Sequence, residues 1–144
     1  MKSKIYEFNP TIYPFKLLVT KEFDSKELGD MFYVVNEDKE LCESYEVFIP
    51  APRTTARTME VSDKTEHDTY IMVVLCRPKN IGVGIISHES LHVSNIVAEW
   101  LGFLPEKAME DEPVAYLSEW VAKCINSVLK GTSNVMQGRL YKEN

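Results

Sequence analysis

The 144-residue chain has little cysteine, no long apolar run and no excess of basic residues. Cys42, Cys76 and Cys124 are an odd, widely spaced set without a CxxC pair. That argues against a disulfide framework and against a thiolate zinc site, and favours reduced thiols. No segment approaches the roughly 18–20 apolar residues needed to span a bilayer, and the first residues lack the apolar core of a signal peptide. The expectation is a cytoplasmic protein without membrane contact. Sixteen Lys and Arg stand against 22 Asp and Glu, a formal net charge of -6. Such a balance lacks the positive footprint that phosphate backbones require, so nucleic acid is not an expected partner. The total weakly suggests basic substrates, although net charge most often serves solubility. Repeats and low-complexity tracts are also missing. What remains is an ordinary globular composition, 44% hydrophobic and 26% charged, sized for one domain over residues 1–144.

The chain changes character near residue 80. Before it, across about residues 12–77, short β-rich runs alternate with turn residues. Strands are expected at Ile12–Phe23, Tyr45–Ile49, Arg53–Val61 and Thr69–Arg77. The last, TYIMVVLCR, is nearly all apolar and β-branched, which reads as a central strand buried on both faces. Asp24 followed by Glu27 resembles a capping box and predicts a short helix over Ser25–Phe32, which Gly29 weakens by roughly 1 kcal/mol. After residue 80, two long helices are expected. One spans Val83–Phe103 and is closed by Gly102 and Pro105. The other spans Glu112–Lys130, with Pro113 in its first turn and Gly131 at its stop. Val114, Leu117, Val121, Cys124, Ile125 and Val128 give the second helix one apolar face. Residues 132–144 read as a loosely held polar tail. The fold class is α+β, with a small antiparallel or mixed sheet in the N-terminal half followed by two long helices.

The chemistry concentrates in His88-Glu89-Ser90-Leu91-His92, an H-E-x-x-H pattern on the first long helix. Residues four apart share a helix face, so both imidazoles can reach one ion. Glu89, turned about 100° from His88, lies beside such an ion, where it can take a proton from a water. The chain has three histidines, and shuffling its composition yields the pattern only about 1 time in 200. The helix is apolar nearly all round, so it is expected to be buried, and buried polar groups need partners. A catalytic zinc usually has three protein ligands. The third is open between His67 and the carboxylates Glu110, Asp111 and Glu112, with Glu119 a weaker choice. Glu99, eleven residues after His88 on the same stripe, is a candidate to hydrogen-bond a ligand histidine. Ile81–Ile85 holds a glycine pair but lacks the context of a dinucleotide site. Arg53, Arg57 and Arg77 are candidate carboxylate binders that the pattern does not separate.

H-E-x-x-H, nineteen intervening residues and then Glu112 at the start of a second helix resembles the gluzincin branch of zinc metallopeptidases, the thermolysin-like arrangement. A buried strand leading to the motif helix is similar to the zincin core. The likeness covers roughly Thr69–Leu129. The stretch EPVAYLSEW also looks like that of small gluzincin-type proteins of phages and mobile elements. The resemblance implies a minimal zincin-like core, with Zn2+ on His88, His92 and Glu112 and with Glu89 as general base. The implied activity is hydrolysis of a peptide or protein substrate. One departure is Tyr116, which stands where thermolysin-like enzymes commonly carry an Asp supporting a ligand histidine. Tyr116 and His67 are candidate donors to a substrate carbonyl in the transition state. The other reading is a catalytically inactive zincin-fold interaction module, because little chain is left to close a cleft.

Overall fold

A computed structural model describes residues 2–102 and 112–142, with backbone alone at 112 and 113. The strands are β1 Lys4–Phe8, β2 Leu17–Glu22, β3 Phe32–Val35, β4 Leu41–Glu43, β5 Ala56–Asp63, β6 Thr69–Leu75 and β7 Arg139–Leu140. The helices are α1 Ser25–Met31, α2 Val83–Trp100 and α3 Glu112–Lys130. The fold is α+β. One seven-stranded mixed sheet runs in the order β4-β3-β5-β6-β2-β1-β7. β2 pairs parallel to β6, Leu17 opposite Ile71, and the other pairs are antiparallel.

β6 is the central strand that its composition implies. Alternate side chains leave a strand on opposite faces, so an all-apolar strand needs a core on each side. Ile71, Val73 and Leu75 join Leu17 and Val19 against α2 and α3, where Val93, Val97, Leu117, Val121 and Ile125 are buried. Tyr70, Met72 and Val74 join Leu18, Met59 and Val61 on the other face, against Leu28 of α1, Phe32, Phe48 and Tyr141. α3 returns antiparallel to α2. Its last turn, at Leu129, shares a cavity wall with Pro78 and Lys79 just before α2, and the Ser94 and Ser118 hydroxyls meet at 2.7 Å between the helices.

Asp24 caps α1 as expected, its carboxylate accepting from the Glu27 amide at 3.0 Å. Glu27 does not close the box. It accepts from the Lys2 and Ser3 amides, tying α1 to β1. Gly29 has a packing reason, since a β-carbon there would collide with the Tyr45 ring. Gly102 and Gly131 take the left-handed backbone (φ +76° and +71°) that follows the long helices.

Several expectations are corrected. Tyr45–Ile49 is a set of turns in which Phe48 alone is inserted, 2% exposed, held by the Phe48 amide on the Ser44 carbonyl. The strand expected at Ile12–Phe23 begins only at Leu17. β1, β3, β4 and β7 were not expected. β1 buries only Ile5 and Phe8, which are three residues apart and so on opposite faces, and no alternation marks it. The described part of the tail, residues 132–142, is held. β7 pairs with β1, and Tyr141, 3% exposed, packs its ring near those of Phe32 and Tyr70 (centroids 5.8 and 5.4 Å). One buried aromatic anchors a segment whose average composition is polar.

Candidate metal centre

α2 follows a tight turn at Pro78–Asn80 and starts at Val83. It buries one face only, made of Glu89, Ser90, Val93, Ser94, Val97 and Ala98, against the sheet and α3. The expectation of a helix buried all round is therefore corrected. His88 and His92 are exposed at its rim, the His88 side chain at 65%, whereas Glu89 is 4% exposed. The histidines thus need no buried partners, and they are open to solvent.

The two imidazoles converge. Their Nε2 atoms lie 3.1 Å apart, with ring centroids at 4.7 Å and planes at 80°. At that distance one Nε2–H donates to the Nε2 of the other ring. Two nitrogens bound at 2.0–2.1 Å to a tetrahedral zinc lie about 3.3 Å apart, close to the separation found. Glu89 Oε2 is 3.9 Å from His88 Nε2. One ligand atom each from His88, Glu89 and His92 falls within 4.8 Å of the others.

Thr58 of β5 completes the arrangement. Its hydroxyl donates to Glu89 Oε1 at 2.9 Å, leaving Oε2 on the histidine side. A buried carboxylate needs such a donor, because an unsatisfied polar atom costs roughly 1–3 kcal/mol. Thr58 escaped the sequence reading. The signal lay in strand alternation, because Met59 and Val61 face the α1 side and so turn Thr58 toward α2. β5 also offers an edge. β6 pairs along Ala56–Ser62, and β3 pairs only at Val61–Asp63, so no described strand covers Ala56–Glu60 on that side. A groove of 480 Å³ opens there, lined by Thr55, Arg57 and Gly84 together with His88 and Glu89.

The other candidates lie elsewhere. Glu99 does not reach the histidines. Lys39 takes its carboxylate at 2.7 Å and also pairs with Glu60 at 3.3 Å, bridging α2 to β5. The Glu99 carboxylate in turn holds the Lys39 ammonium above its ordinary pKa. His67 sits in the turn after β5 (φ 63°), its amide on the Asp63 carbonyl, at the end of the strand away from the groove. Tyr116 is 65% exposed on α3 and has no partner among the described residues. Glu119 pairs with Lys123 at 3.0 Å. Glu112 opens α3, but its side chain lies outside the described residues, as do Glu110 and Asp111 altogether.

The three cysteines are free, and burial pushes the Cys124 thiol up to about 12. Among the described residues no helix is long and apolar enough to cross a membrane. Comparison with protein-family models, curated proteins and solved structures finds no match to this chain.

Proposed function

We propose that this chain is a zinc-dependent metallopeptidase. One observation carries the reading: the His88 and His92 Nε2 atoms converge at 3.1 Å beside a buried carboxylate that a threonine holds in place. His88 and His92 hold the metal, and Glu112 is the proposed third ligand. Zinc in that position supplies Lewis acidity, which draws the pKa of a water toward neutrality and polarises a carbonyl. Glu89 takes the proton of the attacking water through Oε2 and returns it to the leaving amine. Thr58 fixes the carboxylate so that this oxygen faces the histidines. The uncovered edge of β5 receives an extended peptide by strand addition, alongside the groove.

The test is zinc content together with hydrolysis. Purified protein is exposed to zinc, dialysed and measured by elemental analysis beside a His88→Ala, His92→Ala double variant. A peptide library digested by the same samples is read by mass spectrometry. About one zinc per chain, absent from the double variant, and cleavage abolished in Glu89→Gln with zinc retained, are expected. Cleavage that survives Glu89→Gln, or a wild type that binds no zinc, overturns the reading. Full zinc occupancy without cleavage of any peptide favours the interaction module instead.

A further inference from the structure

The groove beside the histidines says something about the substrate. In this acidic chain many lysines pair with carboxylates: Lys4, Lys16, Lys26, Lys39, Lys64, Lys123 and Lys142 all do. Two arginines lining the groove do not. Arg53 makes no ion pair or hydrogen bond among the described residues. Among the described residues the Arg57 guanidinium donates only to the Val47 carbonyl, at 3.0 Å. Among the described residues Glu89 is the one acid on the groove wall, and it is buried and held by Thr58.

Arg53 is also placed with care. It stands between Pro52 and Thr54, and the Arg77 guanidinium donates to the carbonyls of both, at 3.2 Å for Thr54. The third arginine of the region therefore pins the loop that presents the first. Gly84, in the first turn of α2, leaves open space beside the groove, and the positive end of the helix dipole adds to the same field.

We propose that this groove is a carboxylate subsite, in which Arg53, with Arg57 beside it, receives a carboxylate of the peptide close to the scissile bond. The inference rests on the metallopeptidase reading and refines it. It reverses the preference for basic substrates that net charge alone suggests, because two guanidiniums and one buried carboxylate line the groove among the described residues. Guanidinium takes carboxylate in a two-pronged, charge-assisted pair. The carboxylate has two sources, an acidic side chain within the peptide or a free C-terminus.

Binding to zinc-loaded Glu89→Gln protein tests this without requiring turnover. Three probes are titrated calorimetrically at low salt: acetyl-Ala-Glu-Ala-amide, acetyl-Ala-Gln-Ala-amide, and acetyl-Ala-Gln-Ala with a free carboxylate. One carboxylate probe is expected to bind about tenfold more tightly than the neutral one, with the margin shrinking as salt rises. Which probe gains identifies the source. Arg53→Gln in the same background removes the margin, and Arg53→Glu reverses it, so that the neutral probe binds more tightly than the carboxylate probe. Equal binding of the three probes, no binding of either carboxylate probe, or a margin that survives Arg53→Gln overturns the subsite. Far-UV circular dichroism confirms that the variants fold. Wild-type hydrolysis is scored separately, so a failed subsite leaves the peptidase standing, and an Arg53-dependent margin without hydrolysis leaves the subsite standing.

Discussion

Asp63 is 1% exposed at the end of β5, and Asp63→Asn should cost stability at neutral pH while removing a pH dependence that the wild type has. Its carboxylate accepts from the Thr65 and Glu66 amides at 2.7 and 2.9 Å, from Lys142 Nζ at 2.7 Å and from the Tyr141 hydroxyl. Burial alone pushes its pKa up. The Lys142 ammonium, the Tyr141 phenol and the two amides outweigh burial and hold it at about 2. A carboxyl held almost two pH units below its ordinary value contributes roughly 2.5 kcal/mol. Because the folded value is the lower one, that contribution is present above the unfolded value near pH 4. It is lost as pH falls through the folded value near 2. The assay is urea unfolding of wild type and Asp63→Asn between pH 7 and pH 2. The stability gap between them should hold steady down to about pH 5 and then narrow by most of that amount. Tyr141→Phe removes one donor and should move the narrowing to higher pH. A gap that stays constant from pH 5 to pH 2 would refute the reasoning.

Two further substitutions probe the site and the packing. Thr58→Val removes the one hydroxyl that holds Glu89, and should lower kcat roughly 10- to 100-fold with zinc content and KM little changed, whereas Thr58→Ser recovers most of the loss. Equal losses in both variants, or none in either, would show that Thr58 does not position the carboxylate. Gly29→Ala exchanges a poor helix former for the best one, yet should lower the unfolding free energy by about 1–2 kcal/mol and the denaturant midpoint with it, because the Tyr45 ring fills the space and Asp30 holds its hydroxyl at 2.6 Å. A raised midpoint would mean that Tyr45 swings away at no cost.

Long elements with a strong period were legible in the chain. α3 has its expected bounds and apolar face, although Val114 is only partly buried, and β6 is central and buried on both sides. Short elements were not, because they form through partners distant in sequence. β7 is two residues long and exists only against β1. The histidine pair was legible, since i, i+4 spacing is local geometry. Its exposure was not, because Ile85, Leu91 and Ile96 count as apolar in the sequence although Leu91 is 45% exposed. Thr58 and Arg53 belong to the site through tertiary placement. Their roles depend on which face β5 turns to α2 and on how Arg77 folds the loop before it.

The mixed pairing of the sheet also bears on the order of assembly. β5, β6 and α2 follow one another in the chain, and together they carry Thr58, Glu89 and both histidines. Their contacts close short loops. The parallel pairing of β2 with β6 joins Leu17 to Ile71, a far longer closure, and such closures dominate the entropic barrier to folding. The stretch bearing the candidate centre is therefore kinetically local, and the strand that completes its core arrives from a distance. A ligand that clamps α2 onto β5 would act on the rate at which the chain folds as well as on how long it stays folded.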